Sequence, residues 1–237
     1  MASHGGFING ADRAIVWLPF FLAVLPIFTV SVCYFLSASA GFIPACMPLL
    51  EGCTTVSSAG RYGPAYFLFK AGIIPTAILL AAFWPLCRRW FLSLGYPDST
   101  GLRAMVWLGV ISAVFLVVYA AALGSSGELY KFMRRSGVTI HFSFSYLAQV
   151  LLLNRVWYER GRLGQGQIGA GIAISMVTVS LLMFALGLYS LPVGQLIPDP
   201  KDVLINVIEW NFALLLFGWY LIAGFAWLRS GFRWPID

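Results

Sequence analysis

Charged residues are scarce in this chain. Asp, Glu, Lys and Arg make up 10% of its 237 residues, and apolar residues make up 60%, whereas about 25% of the residues of a soluble domain are charged. A soluble core with this composition would leave too few polar residues to cover its exterior. The composition therefore excludes an ordinary soluble protein and indicates a chain that folds in lipid.

Histidine and cysteine are also scarce, with two histidines, four cysteines and no C-x-x-C pair. Zinc sites take their ligands from these residues at short spacings, so we expect no metal site and no cofactor. Lysine is rarer than arginine, three against twelve, and the sequence has no N-x-S/T glycosylation acceptor. These two features suit a bacterial inner membrane.

Six apolar stretches are long enough to cross a bilayer, which takes about 20 residues in a helix. The connections are short, and the longest, Ser37–Ala65, leaves no room for a further domain. The sequence therefore predicts one all-α domain over residues 1–237, a six-helix transmembrane bundle with short loops. The predicted spans are Ala14–Leu36, Tyr66–Leu86, Ala104–Leu123, Val138–Leu153, Ile168–Leu191 and Val203–Leu228.

Basic residues near the span ends predict the orientation, because Lys and Arg are retained on the cytoplasmic side. Nine lie on the side of the two termini and six on the other, so we expect both termini in the cytoplasm. The nine are Arg13, Arg88, Arg89, Arg103, Arg155, Arg160, Arg162, Arg229 and Arg233, and the six are Arg61, Lys70, Lys131, Arg134, Arg135 and Lys201. This distribution explains the net charge of +6 by topology, and no nucleic-acid partner is expected.

Tryptophan is frequent near the predicted span ends, where Trp and Tyr side chains anchor helices at the membrane interface. We interpret these tryptophans as anchors and not as a ligand cage. They are Trp17, Trp90, Trp107, Trp157, Trp227 and Trp234.

Two of the cysteines, Cys46 and Cys53, lie in the loop between the first and second spans. With the termini in the cytoplasm, this loop faces a compartment that permits disulfides. We therefore favour a Cys46–Cys53 disulfide over two free thiols. Cys33 and Cys87 lie in or beside apolar spans.

Three ionisable side chains lie inside predicted spans, where each costs about 2.5–3.5 kcal/mol at the membrane centre. Lys70, His141 and Glu209 lie at a similar depth toward the non-cytoplasmic side. We expect them to line one polar pocket between the second, fourth and sixth spans, together with Asn206 and Ser57, and we expect Lys70 to pair with Glu209. The alternative is that each side chain reaches the interface separately.

An enzymatic interpretation uses some of the same residues. Ser57 or Ser58 would be the nucleophile, His141 the base and Glu209 the acid that orients the base, as in a hydrolase triad. No local motif supports this arrangement, which requires the three side chains to lie within hydrogen-bonding distance.

The predicted loop Ser125–Gly137 combines basic with apolar residues. Lys131, Arg134 and Arg135 lie among aromatic and aliphatic side chains, as in a segment that contacts lipid phosphates at the membrane surface. A solvated loop has a similar composition, and we favour lipid headgroup contact.

Two short segments resemble a known family. Residues Val56–Phe69 read VSSAGRYGPAYFLF, and the sixth span contains the pair Glu209-Trp210. The first segment resembles the pattern I-S-x-T-G-x-x-P-P-E-x-x-x-F, and the pair resembles the Glu-Trp pair, of the DRAM/Frag family. This family of six-span proteins includes damage-regulated autophagy modulators and a Golgi factor for lipid remodelling of GPI anchors. The matching positions in the first segment are Ser57, Gly60, Pro64 and Phe69.

The chain departs from this family at two positions. Ala65 stands where the family has an acidic residue, and Arg135 where many members have a histidine. His141 does not take the place of that histidine. The resemblance implies a function linked to membrane lipids, without an agreed catalytic mechanism.

We therefore interpret the chain as a non-enzymatic membrane protein that binds or organises lipid through a cavity in the outer leaflet. Its expected partners are membrane lipids and other membrane proteins. Two alternatives from other classes stay open: a membrane-embedded acyl hydrolase or transferase, and a small-solute transporter or subunit of a membrane complex. A transporter would show an inverted repeat or a continuous polar path, and the sequence has no internal repeat.

Overall fold

The computed structural model describes residues 14–159, 170–196 and 201–233. Within these ranges the chain is helical and has no strand. A short 3₁₀ turn, Ile15–Trp17, leads into the first helix. The helices are α1 (Leu18–Ser39), α2 (Pro48–Glu51), α3 (Val56–Ala59), α4 (Gly63–Ser93), α5 (Thr100–Ala122), α6 (Glu128–Glu159), α7 (Ala170–Leu196) and α8 (Lys201–Arg229).

Six of these helices are long and apolar enough to cross a membrane, counted over the described residues. They are α1, α4, α5, α6, α7 and α8. The predicted all-α six-helix bundle is confirmed, and the chain is a multi-pass integral membrane protein.

One boundary differs markedly from the prediction. The fourth span was predicted from Val138, whereas α6 begins at Glu128 and includes most of the predicted loop Ser125–Gly137. Hydropathy detects only the apolar part of a helix, and the first turns of α6 are basic and amphipathic. Glu128 in the first turn also favours helix formation, because a negative charge there opposes the positive end of the helix dipole.

The six spanning helices form a closed ring in the order α1, α4, α5, α6, α7, α8, with α8 returning to α1. The contact between α5 and α6 is the most extensive, whereas α6 contacts α7 and α8 over only a few residues. The weakest seam of the ring therefore lies between α6 and the pair α7 and α8.

The two ends of the bundle are packed differently. We call the end that carries the loop of residues 40–62 the first-loop end. At the other end, a cluster of buried aromatic rings fills the space between α4 and α8. The ring of Phe83 packs edge-on against Tyr220 at 5.2 Å and stacks on Trp227 at 5.3 Å. The large side chains that are fully buried here include Phe83, Trp84, Trp90, Phe91, Trp219, Tyr220 and Trp227.

This cluster corrects the interpretation of two tryptophans as interfacial anchors. Trp90 and Trp227 are 0% exposed and pack against each other, whereas Trp17, Trp107 and Trp157 are exposed as an anchor would be. Hydropathy gives the depth of a residue along the membrane normal, but not the side of the helix on which it lies. Trp234 lies outside the described residues.

The loop between α4 and α5 is closed by ionic contacts. Arg88 forms two hydrogen bonds with the Asp98 carboxylate, at 2.9 and 2.7 Å, and Arg103 lies 3.2 Å from it. The Arg88 hydrogen bonds are the main reason that the pKa of Asp98 is lowered from its ordinary value. Ser99 accepts a hydrogen bond from the Leu102 amide as the N-cap of α5 and another from Arg155 of α6. These contacts hold α4, α5 and α6 together at the end opposite the first loop.

Candidate functional site

The first loop, residues 40–62, is fixed to the start of α8 by three side chains. Asn206 donates to the carbonyl of Gly52, Trp210 to that of Thr54 and Asn211 to that of Leu49, each at 2.8 Å. The loop is therefore packed against α8 and does not extend freely into solvent. Asn206, which was predicted to line the pocket, lines neither of the two cavities described below.

The predicted disulfide is present: Cys46 and Cys53 are bonded, with their Cα atoms 6.4 Å apart. Tyr34 of α1 reinforces the bonded loop, since its hydroxyl accepts a hydrogen bond from the Cys46 amide and donates one to the Cys46 carbonyl. Cys33 and Cys87 are free and buried. The loop is thus tied internally by a covalent bond and externally to α1 and α8.

A cavity of about 890 Å³ opens at the first-loop end along the weak seam of the ring. Its walls come mainly from α6, α7 and α8, and the first loop and Tyr119 of α5 complete them. We call it the large cavity. Its apolar lining includes Phe142, Leu147, Met183, Phe184, Leu188, Ile205, Ile208 and Phe212.

Four basic side chains line the large cavity toward the first loop, and we call them the basic rim: Arg61, Lys131, Arg134 and Arg135. Arg134 is held in place because it donates to the carbonyls of Ala122 at 3.2 Å and Ser125 at 2.7 Å. Ala122 ends α5 and Ser125 follows it, where carbonyls lack helical partners. Lys131 lies 3.7 Å from Glu128. The basic residues of the predicted loop thus lie at a cavity and not only in solvent.

Arg61 completes the rim from the first loop. One of its terminal nitrogens donates to the Ser57 hydroxyl at 3.3 Å. Its Nε is buried and has no hydrogen-bond partner among the described residues. A buried guanidinium nitrogen without a partner is costly, so this group is available to an anion in the cavity.

A second, smaller cavity of about 140 Å³ lies beside the large one, between α1, α4, α5, α6 and α8. Its lining is mostly apolar. Four residues line both cavities and separate them: Tyr119, Val138, Phe142 and Glu209. Glu209 therefore reaches both spaces from α8.

His141 lies in the smaller cavity and is bonded within the bundle. Its Nδ1 is 3.1 Å from the hydroxyl of Ser112 and 3.2 Å from the Ser112 carbonyl, and Ser112 in turn bonds Ser145. The Nε2 atom is buried without a partner in the described part of the chain. Deeper in the membrane, the side chain of Gln149 donates to the Leu216 carbonyl at 2.9 Å. These bonds join α5, α6 and α8.

Lys70 does not join this site. Its ammonium group donates to the Tyr66 hydroxyl and to the Ala121 carbonyl at 3.2 Å, and it lines neither cavity. The predicted ion pair between Lys70 and Glu209 is wrong, because the ammonium bonds the Ala121 carbonyl at the end of α5 and no ion pair joins it to Glu209 among the described residues. The other residues of the predicted pocket are divided between the two cavities. The smaller cavity has walls from the second, fourth and sixth spans and contains His141 and Glu209, and the large cavity lies between the fourth, fifth and sixth spans and contains Ser57 and Glu209.

The three residues of the enzymatic interpretation are not assembled into a triad. Ser57 is bonded to Thr55 and Arg61, and His141 is bonded to Ser112. Ser57 lines the large cavity, His141 the smaller one and Glu209 both. No hydrogen bond joins any two of these three described residues.

Sequence reasoning missed Arg61 and Tyr119 as residues of the site. Arg61 lies within the segment Val56–Phe69 and only four residues after Ser57, and this short separation was a usable signal. Tyr119 lies in an apolar run that gives no indication of its neighbours.

In comparisons with known proteins, no family model, curated protein or solved structure matches this chain.

Proposed function

We propose that this multi-pass membrane protein binds a phospholipid in the large cavity, with the phosphate at the basic rim and an acyl chain against the apolar lining. The single observation that carries this proposal is the lining of the cavity, which is cationic toward the first loop and apolar beyond it. A lipid has the same polarity along its length. A water-soluble anion would use the rim but leave the apolar lining empty.

The basic rim has the chemistry for a phosphate. Arginine forms paired, charge-assisted hydrogen bonds with phosphate oxygens, and a basic residue near an anionic headgroup contributes about 1 kcal/mol. Arg135 and Lys131 are exposed, and Arg134 and Arg61 are partly buried. Arg134 is already positioned by two carbonyls, so binding would require little ordering of its side chain.

The seam between α6 and the pair α7 and α8 supplies a route for the acyl chain. Helices that contact each other over only a few residues leave a lateral opening toward the surrounding lipid. A lipid can therefore enter from the bilayer without passing through water. Exposed apolar residues such as Leu147 and Leu188 line this opening.

The resemblance to the DRAM/Frag family agrees with this proposal. Of the positions that match the family pattern, Ser57 and Glu209 line the large cavity, and Phe69 lines the smaller one. Gly60 packs directly against Phe69. We propose that the chain belongs to this family and that its role is not enzymatic.

We also infer that both termini lie in the cytoplasm, which places the large cavity in the outer leaflet. The count of basic residues supports this orientation. Single cysteines at Ser3 and Asp237, in a chain with its native cysteines replaced, should react in intact cells only with membrane-permeant thiol reagents. Labelling of either position by an impermeant reagent would reverse the orientation.

Lipid binding is tested by native mass spectrometry of the purified protein. We expect the wild type to retain phospholipid, and we expect the double variant Arg61→Gln, Arg135→Gln to retain it about 30-fold less strongly, since two headgroup contacts of about 1 kcal/mol each are lost. Arg229→Gln, Arg233→Gln removes the same charge from exposed positions at the opposite end and should retain lipid as the wild type does. Equal retention in both variants, or no lipid on the wild type, would refute the proposal.

A further inference from the structure

Glu209 is the one acidic side chain among the described residues that line the large cavity, where the basic rim supplies four cations. It is partly buried on α8, with the Val56 backbone beside it. In the described part of the chain, no Lys, Arg or His side chain pairs with its carboxylate. A backbone amide offers only a partial charge, so the carboxylate lacks a full counter-charge in a low-dielectric setting.

Two other polar groups beside Glu209 are also incompletely bonded. The Tyr119 hydroxyl is buried and has no partner in good hydrogen-bond geometry within the described residues; its polar neighbours are Glu209, Arg61 and the Ser57 hydroxyl. The Nε of Arg61 is also buried and has no hydrogen-bond partner among the described residues. All three residues line the large cavity. Buried polar groups are normally bonded, so these three side chains offer a ligand in this cavity both hydrogen-bond donors and acceptors.

The charges of the cavity specify this ligand further. The basic rim requires an anion, and Glu209 requires a cation that can enter the same space. A purely anionic lipid such as phosphatidylglycerol would satisfy the rim but leave Glu209 unpaired. A quaternary choline group carries a cation but no N–H to donate. A primary ammonium carries the charge and three donors.

Building on the proposed function, we infer that the large cavity selects phospholipids with a primary-amine headgroup, placing the phosphate at the basic rim and the ammonium on Glu209. Phosphatidylethanolamine has this chemistry. Tyr119 is placed to accept from the same ammonium or to donate to the phosphate. The pairing that was expected from Lys70 is then supplied by the ligand.

The inference is tested by competition between lipids with identical acyl chains. Purified protein is equilibrated in detergent with equal amounts of phosphatidylethanolamine, phosphatidylcholine and phosphatidylglycerol, and bound lipid is counted by native mass spectrometry. We expect the wild type to prefer phosphatidylethanolamine over each of the others by about tenfold, since a charge-assisted hydrogen bond is gained. Glu209→Gln should bring that ratio to about one while lipid is still retained.

Three controls make the result specific. Glu209→Asp keeps the charge and should keep the preference. Glu51→Gln removes a carboxylate from the same loop region, away from both cavities, and should leave the ratio unchanged. Glycerophosphoethanolamine, the headgroup without acyl chains, should not displace the bound lipid; displacement at a similar concentration would show that a soluble phosphate compound is the ligand and would overturn the lipid assignment.

The outcomes separate this inference from the proposed function. Because the readout is a ratio on the folded fraction, a lower yield of a variant does not affect it. Retention of lipid with phosphatidylglycerol equal or preferred in the wild type would overturn the headgroup assignment and leave lipid binding standing. An unchanged ratio in Glu209→Gln would overturn the role of Glu209. No lipid on the wild type would overturn both proposals.

Discussion

Replacing Gly109 by alanine should destabilise the bundle by about 3 kcal/mol, the upper part of the usual range for overpacking a closed core. A Cβ atom at this position of α5 would lie 2.1 Å from a ring carbon of Trp84 in α4. Trp84 is 0% exposed and is held between the rings of Phe83 and Tyr220. It cannot move aside without disrupting the aromatic cluster, so α4 and α5 would have to separate.

The measurement is the free energy of unfolding in mixed detergent and SDS. Gly218→Ala is the matched control, because a Cβ atom there meets nothing within 4 Å. Alanine is favoured over glycine inside a helix by up to about 1 kcal/mol, so the control should be neutral or stabilising. Equal destabilisation by the two substitutions would show that Gly109 has no special role in packing.

Replacing Gly52 by alanine should release the first loop from α8, at a cost of about 3 kcal/mol from a strained backbone and a steric overlap together. Gly52 has φ +57°, and an added Cβ would lie 2.1 Å from the backbone oxygen of Val203. A backbone atom cannot rotate away as a side chain does. The hydrogen bond from Asn206 to the Gly52 carbonyl would be lost with the displacement.

The rate at which dithiothreitol reduces the Cys46–Cys53 disulfide reports on this release, and we expect it to rise in Gly52→Ala. Gly41→Ala is the control within the same loop. Gly41 also has a positive φ, +73°, but nothing lies within 4 Å of its added Cβ. It should therefore show only the backbone cost, about 1 kcal/mol, and little change in reduction rate. Similar rates in the two variants would mean that the contact with Val203 does not anchor the loop.

The helices of this fold could be predicted from sequence because the bilayer fixes their length and composition. What could not be predicted is the direction in which each side chain points around its helix. Trp90 and Trp227 have the right depth for interfacial anchors, yet they face inward. Lys70 and Glu209 have similar depths, yet Lys70 turns toward the end of α5. Depth follows from a one-dimensional pattern, whereas direction depends on how the helices pack.

The candidate site was predicted in part for the same reason. Ser57, Glu209 and the basic residues of α6 line one cavity. Charged side chains near the membrane avoid contact with lipid tails and therefore face a cavity or the bundle interior. The role of Asn206 could not be predicted, because an amide serves equally well as a pocket residue or as a loop anchor, and here it bonds the first loop. Tyr119 was missed because a hydroxyl in an apolar run carries no signal of what it faces.

The contrast between the two ends of the bundle has a mechanical consequence. The aromatic cluster at one end is close-packed and therefore hardly compressible, whereas the first-loop end contains two cavities. Changes in bilayer thickness or lateral tension would thus be absorbed by α6, α7 and the start of α8, while the parts of α4 and α8 around Phe83 and Trp227 keep their packing. Filling the large cavity would stiffen the compliant end, so the protein's response to membrane tension would depend on its occupancy.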